Sequence, residues 1–164
     1  DMRLGQDLAC VHWNVGLHDC IRMAGEEPLT PPDFYAYYID RICKRLRFYY
    51  PSAEMIFATS TPVQEEKYGF WFARKNADIV RCNQLAVDIV KKHGMAVNDL
   101  HALLEKEDAD AVHSDLTHFD TPLGRELITK AVLRAVCPAL GVDYDSLVMP
   151  DFSEKIHKDK DILA

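Results

Sequence analysis

Short continuous apolar runs alternate along this chain with longer segments of helical period, and the alternation predicts an order of elements. Asp7 to Trp13 (Asp-Leu-Ala-Cys-Val-His-Trp) is apolar and partly β-branched, and Asn14-Val15-Gly16 breaks it, so a buried strand ending in a polar turn is expected. Glu26 to Thr30 reads as loop. Thr30-Pro31-Pro32-Asp33 then offers an N-cap, prolines suited to a first helical turn and an acid near the positive end of the dipole. The helix that follows, through about Tyr49, repeats Tyr35, Tyr38, Ile42, Leu46 and Tyr49 on one face, and Pro51 ends it.

Glu54 to Thr59 is a second apolar run whose length and flanks suit a buried parallel strand, followed by Ser60-Thr61-Pro62-Val63. Gln64 to Arg74 carries Tyr68, Phe70, Trp71 and Phe72; its aromatics either form a lid over a cleft or pack on the body, and packing is the expectation. Asn76 to His93 is a second amphipathic helix with Ile79, Cys82, Leu85, Ala86, Ile89 and Val90 as its stripe, and Gly94 suits the position just past its end. Met95-Ala96-Val97 reads as a third short strand. Asn98 or Asp99 would cap a brief helix from Leu100 to Glu105, and Thr121-Pro122 opens the last strong helix. There Leu123, Leu127, Ile128, Ala131, Val132 and Val136 form the stripe until Pro138 and Gly141 stop it. From Val142 the sequence is charged and poorly periodic, a tail expected to wrap the surface or fray.

Strand, helix, strand, helix, strand, helix is the order of right-handed βαβ units, so the fold class is α/β, a parallel sheet with helices on both faces. Such sheets bind ligands at the carboxyl ends of their strands. Asn14 to Asp19, Ser60 to Val63, Asn98 to Asp99 and the loop Asp115 to His118 would then share one edge.

Composition narrows the partners. The 164 residues make one domain of ordinary size, and 48% hydrophobic content is that of a globular protein. With 19 Lys and Arg against 26 Asp and Glu the net charge is -7, which argues against nucleic acid and against an anionic membrane. Cys10, Cys20, Cys43, Cys82 and Cys137 show no C-x-x-C spacing and read as reduced thiols, which points to a cytoplasmic protein. No secretory signal or membrane-spanning run is visible, but the chain opens on Asp1, close to an apolar run, and an earlier start is expected.

The stretch Asp110-Ala111-Val112-His113-Ser114-Asp115-Leu116-Thr117-His118-Phe119 is the place to look for chemistry. Asp115 and His118 are spaced so that the carboxylate can fix the tautomer and orientation of an imidazole acting as general base. The same spacing suits a surface loop in which the aspartate only caps a turn. His113, Asp115 and His118 offer three metal ligands in one loop with no distant fourth, a thin case, and no metal is assigned. Cys20 beside His18 lacks the surroundings of a catalytic thiol. His12, His93, His101 and His157 read as strand, cap or surface residues.

Taken together, Val11-His12-Trp13-Asn14-Val15-Gly16-Leu17-His18-Asp19, Ala58-Thr59-Ser60-Thr61-Pro62-Val63, Val97-Asn98-Asp99-Leu100 and Asp115-Leu116-Thr117-His118-Phe119 resemble, in words and order, the SGNH hydrolases, the GDSL esterase and lipase superfamily. The family's fifth block, D-x-x-H, matches Asp115 and His118, and its third, G-x-N-D, lines up with Gly16 to Asp19. His18 stands where the family has the Asn that helps form the oxyanion hole. The resemblance implies Gly16 as backbone donor, with His18 or Asn14 as the side-chain donor. The G-D-S block and the second-block glycine are absent, and Ser52, Ser60, Ser114, Ser146 and Ser153 lie outside any matching context.

The resemblance therefore implies a three-layer α/β/α, flavodoxin-like fold over residues 1–164, a single domain lacking about one leading strand-helix unit, with 142–164 as a C-terminal tail. It also implies a serine esterase acting through an acyl-enzyme on a small or carbohydrate-linked ester, with no cofactor. His118 would be the base, Asp115 its orienting acid, and the nucleophilic serine would lie upstream of this chain. A noncatalytic α/β ligand-binding module is the alternative. Oligomeric state, acyl group and alcohol stay open.

Overall fold

The computed structural model describes residues 8–153, so the predicted strand start at Asp7, His157 and residues 154–164 of the tail lie outside the described residues. In chain order the elements are β1 (Cys10–Trp13), β2 (Arg22–Met23), α1 (Pro32–Tyr49), β3 (Glu54–Ala58), β4 (Phe72–Ala73), α2 (Asn76–Lys92), β5 (Ala96–Asn98), α3 (Leu100–Leu104), α4 (Ala109–Val112) and α5 (Pro122–Leu140), with single 3-10 turns at Glu65–Lys67 and Tyr144–Ser146.

β1, β3 and β5 form a parallel sheet in that order, with His12 opposite Ile56 and Ala58 opposite Asn98. Because side chains alternate along a strand, Val11, Trp13, Met55, Phe57 and Val97 face one way. They pack with Tyr35, Ile39 and Cys43 of α1 and Ile79, Cys82, Ala86 and Val90 of α2. Burying Phe57, with no exposed surface, stabilises the fold by roughly 1.5–3 kcal/mol on a transfer scale. α5 contacts all three strands from the opposite face. Three layers result, as the sequence pattern and the resemblance imply. On the α5 side the Asn98 amide reaches across β3 to His12 Nε2 at 3.1 Å, and burial lowers the His12 pKa. His12 is thus a strand residue with a partner.

Several local expectations change. Pro31, not Thr30, is the N-cap of α1, and no side chain caps it; the Thr30 N–H instead donates to the Asp19 carbonyl. The buried face of α1 is Tyr35, Ile39 and Cys43 with Leu46 and Tyr50 beside it, while Tyr38 and Tyr49 are about half exposed. A face built on Tyr38 and Tyr49 trusts their ring size, but these rings lie on the side away from the sheet. Phe70 and Trp71 do not pack on the body; they are 66% and 75% exposed at the tip of an antiparallel ribbon in which β2 pairs with β4. Pro138 sits inside the last turn of α5, where its missing N–H costs one ladder bond, and Gly141 at φ 64° ends the helix. The α5 stripe is half buried, apart from the more exposed Leu123, with Gly124 and Cys137 the most covered residues.

One feature of α2 holds the turn after β3. Asn83 accepts from the Ser60 N–H and donates to the Ser60 carbonyl, both at 2.8 Å. Seven residues earlier Asn76 does the same for Val63, at 2.9 and 3.0 Å. Ser60, Val63 and Asn83 are all buried, so these backbone groups have lost water and need the amides. Asn83→Ala should therefore lower unfolding stability by about 2–4 kcal/mol, the cost of two orphaned buried groups. Urea denaturation with an unchanged m-value measures it; a loss below about 0.5 kcal/mol would contradict this account.

Candidate active site

The loop before α5 is built around one carboxylate. Asp115 Oδ1 accepts the N–H groups of Thr117 and His118, each at 2.8 Å, and Oδ2 accepts from His118 Nδ1 at 2.7 Å. The Ser114 N–H closes the loop on the His118 carbonyl at 2.7 Å. Thr121 then caps α5 through Gly124, with its own hydroxyl turned to the carbonyls of Ala111 and Val112. Below the loop, Val112 and Phe119 pack with Leu104, Leu127 and Ile128. Both turn and dyad therefore rest on a small apolar cluster.

An ionised carboxylate can only accept, so the proton of the Asp115–His118 bond belongs to Nδ1, and Nε2 of a neutral ring keeps its lone pair. The His118 side chain is 76% exposed, so that lone pair can meet an incoming hydroxyl. The N–H of Thr117, then that of His118, then the His118 ring hold the Asp115 carboxyl well below the usual carboxylate range.

At the other end of the site, Gly16 follows β1 at φ +132°, a conformation that side chains rarely adopt. A Cβ there would lie 2.8 Å from Tyr35 Oη and 2.9 Å from Ser60 Oγ. Both hydroxyls donate to the Val15 carbonyl at 3.2 Å, which fixes the turn. Gly16 is buried, and among the described residues its N–H has no protein acceptor. Asn14 donates its amide to the Ala58 carbonyl at 2.7 Å and thereby ties the ends of β1 and β3 together. His18 is exposed in the next turn. Of the two side-chain donors, Asn14 is engaged in the framework and His18 is open to solvent.

The turn after β3 joins these two halves. Ser60 touches the Gly16 turn, as above, while the Gln64 N–H donates to the Leu116 carbonyl at 3.0 Å and the Gln64 amide to the Asp115 carbonyl at 3.2 Å. His113 is buried with its nitrogens on the Ala109 and Pro62 carbonyls at 3.0 and 3.2 Å and its ring against Phe119. It is a strut between loops, and its ring nitrogens are turned to these carbonyls and not to the Asp115–His118 pair. Among the described residues no three or more His, Cys, Asp or Glu side chains are grouped to hold a metal ion. Cys20 is fully buried, and a thiol hydrogen bond with Cys82 together with burial pushes its pKa far up, the opposite of an activated nucleophile.

Asn14–Asp19, Ser60–Val63 and Asn98–Asp99 follow the carboxyl ends of β1, β3 and β5, and Gln64 brings Asp115–His118 beside the second of them. Asn76, Asn83 and Gln64 went unnoticed in the sequence. Only Asn83 leaves a trace there, a polar residue on the apolar stripe between Ile79 and Ala86.

No protein-family model matches the chain, and no curated protein matches its sequence. Its backbone superimposes on the lipase/acylhydrolase from Enterococcus faecalis with a TM-score of 0.62 at 16% identity, over 78% of this chain and 60% of that one. The chain shares the fold of that structure. A second likeness is LAE5, an alpha/beta hydrolase enzyme from the metagenome of Lake Arreo, Spain, with a TM-score of 0.57 and 16% identity over 77% of this chain and 59% of that one. The chain thus spans about three fifths of the length of both structures. The shared fold is consistent with the SGNH resemblance of its four turns.

A depressed carboxyl pKa stabilises the folded loop above the unfolded value of about 3.9, and that contribution is lost as pH falls through the folded value. An NMR titration of the Asp115 carboxyl should accordingly give a midpoint below about 3.9. In His118→Ala the midpoint should rise yet stay low, because the two backbone donors remain; an ordinary midpoint in the parent protein would refute the geometry.

Proposed function

We propose that this chain is the later part of an SGNH-type serine esterase that hydrolyses a small or carbohydrate-linked ester through an acyl-enzyme. The observation that carries the reading is the 2.7 Å bond from His118 Nδ1 to Asp115, which leaves Nε2 turned to solvent as a base. In the first step Nε2 takes the proton of a serine hydroxyl as its oxygen attacks the ester carbonyl, and Asp115 steadies the imidazolium. The N–H of buried Gly16, which has no acceptor among the described residues, stabilises the oxyanion, assisted by His18. Collapse of the tetrahedral intermediate releases the alcohol, which takes the proton from His118. Water, activated by the same nitrogen, then frees the acid.

The serine comes from a segment outside these residues. Ser114, Ser146 and Ser153 donate their hydroxyls to local acceptors, the His118 and Asp143 carbonyls and the Asp151 carboxylate, Ser60 donates across the chain to the Val15 carbonyl, none of them to His118 Nε2, and Ser52 lies in the turn before β3, at the far end of that strand. The same observation favours a second reading, a noncatalytic binding module that keeps the cleft without a nucleophile.

The full-length natural protein should hydrolyse p-nitrophenyl acetate and be labelled by a fluorophosphonate. His118→Ala should lower kcat by about 10³-fold or more, and Asp115→Asn by about 10⁴-fold at most. Unchanged turnover in His118→Ala sinks the assignment. Tight ligand binding with neither turnover nor labelling points to the module.

A further inference from the structure

α1 has two apolar faces, and only one of them meets the core. From the flank of the Tyr35, Ile39 and Cys43 face round to the solvent side, the residues Phe34, Tyr37, Tyr38, Phe48 and Tyr49 stand 59%, 53%, 53%, 79% and 48% exposed. At 100° per residue they fall in one sector with Arg41 and Arg45, a stripe about 22 Å long at 1.5 Å rise per residue. Carboxylates are missing from it. Asp40 lies off the stripe and is taken up by Lys44 at 2.6 Å and by His93 of α2 at 2.8 Å. Aromatic residues and arginine, with few acids, are the composition of interface centres. Isolated exposed rings need no explanation, but five on one helical face do.

We propose that α1 is the contact helix of a two-fold dimer, in which the aromatic and arginine stripe of one copy packs antiparallel on the stripe of a second copy. Two observations select a second copy as the occupant. First, the stripe is complementary to itself in an isologous contact. With the axis beside Arg41 and Ile42, Phe34 of each copy lies opposite Tyr49 of the other, and Tyr38 lies opposite Arg45, which makes ring-on-ring contacts at the ends and cation-π contacts between. Arg41, the cation nearest the axis, is already drawn aside within its own chain, its guanidinium 5.6 Å from the Tyr37 ring centre and bonded to the Tyr37 hydroxyl at 3.1 Å. Like charges therefore need not meet at the centre. Second, the area is sufficient. At roughly 200 Å² per aromatic side chain, the five rings expose on the order of 600 Å² per copy, or about 1,200 Å² when two copies close, the lower range of stable specific interfaces.

The rings are already paired edge to face, Tyr37 with Tyr38 at 5.4 Å and Phe48 with Tyr49 at 5.2 Å between centroids. Such mutual support limits the rotamer freedom lost on docking. The sheet lies on the other side of α1, so the contact leaves the turns after β1 and β3 uncovered by this helix.

Sedimentation equilibrium of the full-length protein tests the assignment. A reversible dimer is expected, with Tyr38→Glu and Phe48→Glu each weakening it at least about 30-fold, as loss of an interface hot spot does. Far-UV circular dichroism of these surface variants should match the parent, and so should their unfolding midpoints at concentrations where the parent is monomeric. A protein monomeric up to about 100 µM overturns the proposal, and so does a dimer indifferent to both substitutions, the two results expected if the preceding segment that the proposed function calls for covers the stripe instead. Should the monomer instead co-sediment with phosphatidylserine vesicles in a Phe48-dependent way, the stripe belongs to a membrane surface and the dimer is likewise overturned.

Discussion

Two side-chain amides on one helix carry the geometry of this molecule. Asn76 and Asn83 replace a strand partner for the turn after β3, each satisfying both backbone groups of one buried residue. A turn leaving the central strand of a parallel sheet has no neighbour to pair with, and burial forbids water as a substitute. The amides let the turn stay both irregular and buried. From it the Ser60 hydroxyl reaches toward the Gly16 turn and the Gln64 N–H toward the Asp115 loop, so an error in the splint would reach both ends of the site.

The chemistry inherits this arrangement. A base needs an orienting acid, and the acid needs to stay charged; backbone N–H groups accomplish the second through donors that cannot rotate away. Orientation of the ring and closure of the loop are thus the same set of bonds, since Asp115 Oδ1 forms the turn while Oδ2 directs the ring. The apolar cluster of Leu104, Val112 and Phe119 gives the loop a floor.

Much of the fold was legible because its main elements obey simple periods. Three apolar runs became the three parallel strands, and the capping signals at Thr121 and Gly94 mark the ends that the chain uses. Periodicity failed where two faces of a helix are both apolar. In α1 the large rings of Tyr38 and Tyr49 mark a more conspicuous stripe than Ile39 and Cys43, although the smaller pair is what the sheet accommodates. It failed again at the β2–β4 ribbon, whose two-residue strands are too short for any alternation to register. In the site, Asp115 and His118 could be read because their partner lies three residues away. Asn76, Asn83 and Gln64 act over 13, 23 and 51 residues on backbone atoms, and beyond the break that Asn83 makes in an apolar stripe they leave no mark in the side-chain pattern.

Gly16 carries one more implication. Its backbone conformation and the crowding by Tyr35 and Ser60 are independent obstacles, so relieving either alone does not admit a larger residue. Under mutational drift such a position behaves as an anchor, while exposed His18 two residues on can wander without disturbing the turn. A letter of the motif that looks chemical is first a record of steric room.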